Sequence, residues 1–290
     1  MPTQISSLLD LSSKIDTFFV DVFGTIWDGE AFYPSALQVC KQLIQMGKHI
    51  YILSNATTVN ARFKEKYKPF GFIQNVHYTD IISSGDTLKD LLENDHLLDK
   101  ITNSKTGTYY IIGRSNDKLL ASVLDRRTMD LEKADAIYIG ALQTQQDGKY
   151  IYYEDLGPFL KEAKKALKYH LPALCANPDY FAFLKEMKHS TPGLLGKWYQ
   201  DNGGQVYWCG KPYGNIYDYA YKITGADPQR SAMVGDTIRT DILGGQNAGM
   251  KTILILGYGI TQDLLNNGQT LQQISDQEGA SPDFILETFK

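Results

Sequence analysis

Features that often assign a protein to a class are scarce in this chain of 290 residues. It has three cysteines, and their wide spacing fits neither a paired metal site nor a disulfide framework, so we expect ordinary buried thiols in a reducing compartment. The formal net charge of -4 supplies no basic surface that would attract nucleic acid or an anionic membrane.

The features of exported and membrane proteins are also missing. The N-terminus has no basic stretch followed by a long apolar run, and no segment reaches the roughly 20 apolar residues that span a bilayer. There is no internal repeat and no low-complexity linker. We therefore expect a cytoplasmic protein with neither a nucleic-acid nor a membrane partner.

Apolar runs alternate with helical patterns at both ends of the chain. Residues 16–23 form a strand-like run, residues 34–46 have helical spacing, and residues 49–53 form a second run. The same alternation returns between about residues 205 and 256. This order predicts one doubly wound parallel α/β sheet that is built from both ends of the chain.

The middle of the chain has three strand-like runs of its own between residues 108 and 176, with helix-like stretches between them. A chain of 290 residues is also long for one compact core. We therefore predict an inserted α/β domain over residues 84–190 and a core over residues 1–83 and 191–290.

Carboxylates follow two of the predicted core strands. Asp21 ends the first apolar run, and Asp236 ends a later one, with Asp241 close behind it. A single Asp before a glycine is more typical of a turn, but ligands collect at the carboxyl ends of the strands in open α/β sheets. Two carboxylates near one strand end suit magnesium, which prefers hard oxygen ligands.

Two further strand ends carry groups that can hold phosphate. Ser54 and Asn55 end the second strand, where a hydroxyl, an amide and backbone N–H groups can bind phosphate oxygens. Lys211 follows a strand and precedes a helix, and an ammonium there can neutralise both a carboxylate and a phosphoryl group. Each of these residues is common in loops, but their occurrence in this order at successive strand ends indicates a site.

That order resembles the signature motifs of the haloacid dehalogenase superfamily, which contains mostly phosphatases, and the matching residues are Asp21, Thr25, Ser54, Lys211, Asp236 and Asp241. The resemblance covers nearly the whole chain and implies a Rossmann-like core. Four short segments further resemble the class IIA subgroup, namely Trp27-Asp28-Gly29, Ser54-Asn55, Asn177-Pro178-Asp179 and Thr240-Asp241-Ile242. Members of that subgroup hydrolyse sugar phosphates, phosphoglycolate, pyridoxal phosphate or nitrophenyl phosphate.

The resemblance implies a role for each matched residue. Asp21 is the nucleophile that forms an aspartyl-phosphate, Thr25 closes its loop, and Lys211 assists catalysis. The phosphoryl group is bound by Ser54, Asn55 and Lys211. Magnesium, the one implied cofactor, is held by Asp21, the backbone carbonyl of Phe23, Asp236 and Asp241.

The subgroup has a large α/β cap at the position of the predicted insertion, and cap closure is implied to exclude water and choose the substrate. Asn177 and Asp179 match the cap motif, so they are candidates for facing the substrate or the hinge, although a turn around Pro178 would look the same. The implied partner is a small phosphorylated metabolite, and a homodimer is compatible with the subgroup.

The sequence departs from the family at position 23. Phosphatases of the superfamily have a second Asp there, which protonates the leaving group and activates water, but this chain has Phe23. General acid-base assistance contributes about 10² to 10⁴ to a rate, so we expect lower activity or a restriction to leaving groups that depart as stable anions. Asp28 is a candidate substitute, but a turn residue before Gly29 is the preferred interpretation.

Two other functions stay open. The pattern around Asp21 and Phe23 also occurs in haloacid dehalogenases, which use no metal, so a metal-independent dehalogenase-like hydrolase is the rival enzyme. The carboxylates of Asp236 and Asp241 favour the metal-dependent phosphatase instead. A third hypothesis is a weakly active protein that binds a phosphorylated ligand, which slow hydrolysis with intact binding would indicate.

Overall fold

The computed structural model describes residues 2–114, 119–184 and 187–290. Within these residues the strands are β1 (Thr3–Gln4), β2 (Thr17–Val20), β3 (His49–Ser54), β4 (Asp80–Ser83), β5 (Tyr109–Ile112), β6 (Ala136–Ile139), β7 (Gln143–Gln146), β8 (Lys149–Tyr152), β9 (Ala173–Cys175), β10 (Phe181–Leu184), β11 (Met187–Ser190), β12 (Val206–Trp208), β13 (Ser231–Gly235), β14 (Lys251–Ile255) and β15 (Phe284–Leu286). The α-helices are α1 (Pro34–Gln45), α2 (Asn60–Tyr67), α3 (Ser84–Glu93), α4 (Leu97–Thr102), α5 (Gly157–Lys168), α6 (Pro192–Asp201), α7 (Gly214–Thr224), α8 (Leu243–Asn247), α9 (Ile260–Asn266) and α10 (Leu271–Glu278). None of these helices has both the length and the apolar character needed to cross a membrane.

The described chain divides into two compact units. The first contains the residues up to Ser54 together with Asn60–Ser83 and Lys211–Lys290. The second contains Asn55–Val59 and Ser84–Gly210.

The first unit is built on a seven-stranded parallel sheet in the order β1-β15-β14-β13-β2-β3-β4. From β2 the chain adds strands outward on one side, and after the second unit it adds them outward on the other side. Phe18, Phe19 and Val20 are fully buried, which explains the unbroken apolar run, since a strand inside a parallel sheet has no solvent face. The predicted doubly wound α/β fold is confirmed.

Strand register brings the carboxyl ends of three neighbouring strands to one level. Val20 of β2 pairs with Ile52 of β3 on one side and with Val234 of β13 on the other. The residues at or just beyond the carboxyl ends of these strands therefore lie at one edge of the sheet, and they include Asp21, Ser54 and Asp236.

The second unit has a four-stranded parallel sheet in the order β12-β9-β6-β5 and two antiparallel hairpins, β7 with β8 and β10 with β11. A separate buried cluster covers each face of the four-stranded sheet. Ile137 belongs to one cluster and Tyr138 to the other, because successive side chains of a strand point to opposite faces. This unit therefore buries a core of its own.

The two units differ from the predicted domains where the chain returns to the core. The apolar pattern predicts that residues 191–290 rejoin the core, but α6 and β12 belong to the second unit. The β12 strand pairs in parallel with β9, and Leu195 and Tyr199 of α6 pack in a second-unit cluster. Apolar periodicity indicates that a strand is present but not which sheet it joins, so the return lies at Lys211 instead of residue 191.

Candidate active site

A buried lysine joins two carboxylates at the carboxyl edge of the first sheet. The Nζ atom of Lys211 donates to Oδ1 of Asp21 at 2.6 Å and to Oδ1 of Asp241 at 2.7 Å. The side chains of Lys211 and Asp241 are buried, whereas 15% of the Asp21 side chain is exposed. Lys211 therefore orients Asp21 and leaves that carboxylate within reach of solvent, as a nucleophile requires.

Asp236 is buried at the same edge. Burial raises the pKa of Asp236 well above its ordinary value, and the negative charges of Asp241 and Asp21 raise it further. Its Oδ2 atom accepts a hydrogen bond from the backbone N–H of Ile260 at 2.5 Å, whereas Oδ1 receives none from the residues that the structure describes. A carboxylate in this environment stays ionised only beside a positive partner.

Two glycines make room for the Asp236 carboxylate. Gly24 and Gly259 have φ angles of +72° and +87°, in the left-handed region that favours glycine. A Cβ atom would lie 2.6 Å from Oδ2 of Asp236 at Gly24 and 2.1 Å from it at Gly259, both too close for other residues. Gly259 is not among the residues predicted from the sequence, although glycines on both sides of Tyr258, shortly after a strand, indicate a close backbone approach.

Three carboxylates converge in an arrangement that fits a divalent cation. Asp21, Asp236 and Asp241 each offer one oxygen atom, and these atoms all lie within 4.8 Å of one another. Lys211 offsets one of their three negative charges. The carbonyl of Phe23 accepts no backbone hydrogen bond within the described ranges, so it can also serve as a ligand. Hard oxygen atoms with surplus negative charge fit Mg²⁺.

A wide helical turn fixes Asp241. Residues Ile238–Ile242 form a π-helical turn, a local feature often found at functional sites. The Oδ2 atom of Asp241 accepts from the backbone N–H of Thr237 at 3.1 Å, while Oδ1 accepts from Lys211. Because each oxygen has its own donor, the orientation of Asp241 is set, and through it the position of the lysine.

Ser54 and Asn55, the two neighbouring residues predicted to bind phosphate at the end of β3, belong to different units. Ser54 is buried at the end of β3 in the first unit. Asn55 belongs to the second unit, where its Nδ2 donates to Oδ1 of Asp179 at 2.9 Å and its Oδ1 accepts from Ser84 at 3.3 Å. The Asn55 side chain is thus engaged by second-unit residues, and phosphate binding by Asn55 stays a prediction. Ser54 and Lys211 are the phosphate-binding candidates that lie in the first unit.

Asn177 and Asp179 form a turn in the second unit. The Oδ1 atom of Asn177 accepts from the backbone N–H of Asp179 at 3.0 Å, which closes the turn around Pro178. The structure thus shows the turn, and a role of Asn177 and Asp179 in facing the substrate or the hinge stays a prediction. Asp179 binds Asn55 and so ties the segment Asn55–Val59 to this turn.

Asp28 and Thr25 lie close to the nucleophile in the sequence, and both help to shape the loop that follows it. Oδ1 of the exposed Asp28 accepts from the N–H groups of Glu30 and Ala31, both at 2.7 Å, so Asp28 is a turn residue, as preferred above. Thr25 closes the loop through its backbone N–H, which donates to Val22 at 3.3 Å. Its hydroxyl is buried and has no partner among the described residues, so a catalytic role for Thr25 stays a prediction.

Phe23 lies beside a lysine that is not among the residues predicted from the sequence. The Nζ atom of Lys66, in α2, is 5.3 Å from the centre of the Phe23 ring and 5.0 Å from that of Tyr67. Desolvation of its ammonium group lowers the pKa of Lys66, although the residue as a whole is exposed. Burial raises the pKa of Tyr67, and the negative charge of Asp21 raises it further. A lysine near the end of a polar helix is typical of a solvated face, so no sequence signal separates Lys66 from its neighbours.

Comparison with known proteins finds two family matches along this chain. A family model described as haloacid dehalogenase-like hydrolase matches residues 18–125, and one described as HAD-hydrolase-like matches residues 208–290. Among curated proteins, phosphoglycolate phosphatase 2 from Arabidopsis thaliana is 24% identical, over 92% of this chain and 91% of that protein.

Solved structures share the fold over nearly the full length. A haloacid dehalogenase-like hydrolase from Brucella suis 1330 has a TM-score of 0.78 at 22% identity and covers 99% of this chain and 100% of its own. A possible sugar phosphatase from Cytophaga hutchinsonii has a TM-score of 0.75 at 21% identity and covers 99% of this chain and 98% of its own. Both likenesses agree with the predicted fold.

Proposed function

Because the chain belongs to the haloacid dehalogenase superfamily, we propose that it is a magnesium-dependent hydrolase that attacks a small phosphomonoester through Asp21. The observation that carries this proposal is the convergence of Asp21, Asp236 and Asp241 around Lys211 within the first unit. A carboxylate can approach an anionic phosphate only where positive charge offsets their repulsion. Relatives described as phosphoglycolate phosphatase and possible sugar phosphatase support a small phosphorylated metabolite as the substrate.

The metal ligands proposed are Asp21, Asp236 and the backbone carbonyl of Phe23, with Asp241 beside them. When bound, Mg²⁺ supplies positive charge at the phosphoryl oxygens and lowers the repulsion that the nucleophile meets. The raised pKa of Asp236 supports this assignment, because a buried carboxylate that lacks a cation gains by binding a proton or a metal ion.

The chain's own residues divide the remaining work. Asp21 forms a bond from its carboxylate oxygen to phosphorus while the ester P–O bond breaks, and water later releases phosphate from the aspartyl-phosphate. Lys211, fixed by Asp241, holds the Asp21 oxygen and a phosphoryl oxygen, and the Ser54 hydroxyl binds another. Charge neutralisation is the main catalytic effect in this scheme.

A phosphate-release screen with aryl, acyl and alkyl phosphates tests the proposal. We expect release from aryl and acyl phosphates with Mg²⁺, loss of release when the metal is chelated, and loss in Asp21→Asn, which cannot attack. Asp28→Asn is the matched control, because it removes a nearby carboxylate that serves only the turn. A wild-type protein that hydrolyses none of the three classes would overturn the proposal.

Phe23 favours one rival function. Without a proton donor at this position, the site also suits a halide leaving group, which needs no proton. Release of halide from a 2-haloacid that continues with a chelator present would support a dehalogenase and contradict the magnesium-dependent phosphatase. Tight binding of a phosphate ester without any turnover would instead support a ligand-binding protein.

A further inference from the structure

Lys66 is a cation beside the nucleophile's loop that has no carboxylate partner. Its Nζ atom lies over the rings of Phe23 and Tyr67, at 5.3 and 5.0 Å from their centres. No residue in the described part of the chain forms an ion pair with it. By contrast, Lys64 in the same helix pairs with Asp80 at 2.8 Å. The charge of Lys66 is therefore available to a ligand.

The surface that carries Lys66 packs against the loop that follows Asp21, where its Nζ atom lies over the Phe23 ring. Lys66 also contacts the ring of Tyr67, its neighbour in α2. Tyr67 is buried and packs against Trp27, with 5.3 Å between ring centres, so this end of α2 is fixed against the loop that follows Asp21. Lys66 itself is exposed, and its ammonium group lies over the ring of Phe23, two residues beyond Asp21.

We infer that Lys66 stabilises the leaving group by its positive charge and that the site thereby selects phosphate esters of phenols and enols, an inference that rests on the proposed hydrolase function. When the bond from Asp21 to phosphorus forms and the ester P–O bond breaks, the leaving oxygen keeps the bonding electron pair. Phe23 has no proton to give, so this oxygen departs as an anion. Phenolates and enolates are stable enough to depart in this way, whereas alkoxides are not. A cation over the Phe23 ring offsets the charge that develops on them.

A series of substituted phenyl phosphates tests the role of Lys66. In the wild-type protein we expect kcat/KM to depend weakly on the pKa of the departing phenol. In Lys66→Met we expect a steeper dependence, with a loss of about 10-fold for 4-nitrophenyl phosphate and about 10²-fold for phenyl phosphate, since the poorer leaving group carries more charge. Lys66→Arg keeps the charge and should keep the weak dependence.

Lys68→Met is the matched control for this series. It removes an exposed lysine close to Lys66 whose ammonium contacts neither a ring nor a carboxylate among the described residues. Its kcat/KM values should equal those of the wild-type protein for every phenol. A slope in Lys66→Met that equals the wild-type slope would overturn the role of Lys66 and leave the hydrolase function standing.

A binding measurement without turnover tests the role of Lys66 separately from the hydrolase function. Phosphonoacetate and ethylphosphonate are not hydrolysed, and only the first has a negative group at the leaving-group position. By calorimetry with Mg²⁺, the wild-type protein should bind phosphonoacetate about 10-fold more tightly, and Lys66→Met should bind both alike. If no ester is hydrolysed but this difference is found, the hydrolase function fails and the Lys66 site stands. Equal binding of the two probes by the wild-type protein would count against Lys66.

Discussion

Lys211 and Asp21 are 190 positions apart in the sequence, and the Nζ atom of the lysine lies 2.6 Å from Oδ1 of the aspartate. The chain leaves the first unit after Ser83 and returns to it at Lys211. The lysine is therefore the first residue of the returning segment, and the charge balance around Asp21 is completed only when that segment has folded onto the sheet.

Replacing Lys211 with methionine should lower kcat/KM for an aryl phosphate by about 10² to 10³, because the charge that offsets the nucleophile and the phosphoryl group is lost. The change also leaves Asp21 and Asp241 without their cation, and breaking a buried ion pair costs about 3 kcal/mol or more. We therefore expect a lower free energy of unfolding in a urea titration with a chelator present.

The control for this variant is Lys197→Met, which removes an exposed lysine that pairs with Asp201 on α6. It should change neither the rate nor, beyond a few tenths of a kcal/mol, the free energy of unfolding. Wild-type activity in Lys211→Met would contradict the catalytic role of Lys211.

Gly259→Ala should abolish the response of the protein to magnesium. The new Cβ atom would lie 2.1 Å from Oδ2 of Asp236, so the carboxylate must move. A ligand at 100 times its Kd stabilises the folded state by about 2.7 kcal/mol, so Mg²⁺ should raise the melting temperature of the wild-type protein but not that of the variant. Thermal denaturation with and without MgCl₂ measures the difference.

Gly268→Ala is the control for Gly259→Ala, because it introduces similar backbone strain. Gly268 has a φ angle of +90°, close to the +87° of Gly259, but nothing lies within 4 Å of its Cβ position. Both variants should lose stability through strain, and only Gly268→Ala should keep the full magnesium response. The same response in both variants would show that Asp236 does not hold the metal.

The sequence predicts the residues of the site well where they follow buried strands. The run that contains Phe18, Phe19 and Val20 indicates a strand with no solvent face, and the structure buries all three. Because parallel strands end at one edge, Asp21 and Asp236 can be expected to converge before any coordinates are known. The apolar pattern of each strand and the order of the strands along the chain carry this information.

The sequence cannot predict contacts that depend on which elements become neighbours. The β12 strand has the same apolar character as a core strand, yet it pairs with β9 in the second unit. Asn55 follows Ser54 directly, yet its amide binds Asp179. Lys66 resembles its neighbours on α2, and only the packing of Tyr67 places it over Phe23. Each of these contacts joins residues that no local pattern relates.

Phe23→Asp should increase the hydrolysis of alkyl phosphates more than that of aryl phosphates. An aspartate at this position can protonate an alkoxide, and general acid catalysis is worth about 10² to 10⁴ where the leaving group needs a proton. Phenolates depart without one, so their rates should change little. The measurement is the ratio of kcat/KM values for an alkyl and an aryl phosphate.

Phe23→Asn serves as its control, because asparagine has nearly the same size and polarity as aspartate but no acidic proton. It should leave the ratio of the two rates at the wild-type value. An equal gain for both substrate classes in Phe23→Asp, or no gain, would argue against the account of Phe23 as a missing proton donor.

Asp16 should contribute to stability at neutral pH and lose this contribution in acid. It precedes β2, at the opposite edge of the sheet from Asp21, and pairs with Arg230 and with Lys48, the latter at 2.9 Å. Hydrogen bonds from Arg230 and Lys48 hold the pKa of Asp16 well below its ordinary value. A carboxylate with a lowered pKa in the folded state stabilises that state fully above its unfolded pKa, about 3.9, and loses this contribution progressively as the pH falls from that value through the lower folded-state pKa.

Asp16→Asn should therefore unfold at a lower temperature than the wild-type protein at pH 7, and the two should converge as the pH falls through and below about 3.9. Added salt should also shrink the difference, because the Asp16 side chain is 45% exposed and its ion pairs are open to screening. Asp95→Asn, which removes an exposed carboxylate with no described ion pair, should show no such dependence. Since Asp16 is remote from the catalytic edge, its loss should leave kcat unchanged. A difference in melting temperature as large at pH 2 as at pH 7 would mean that Asp16 acts through something other than its charge.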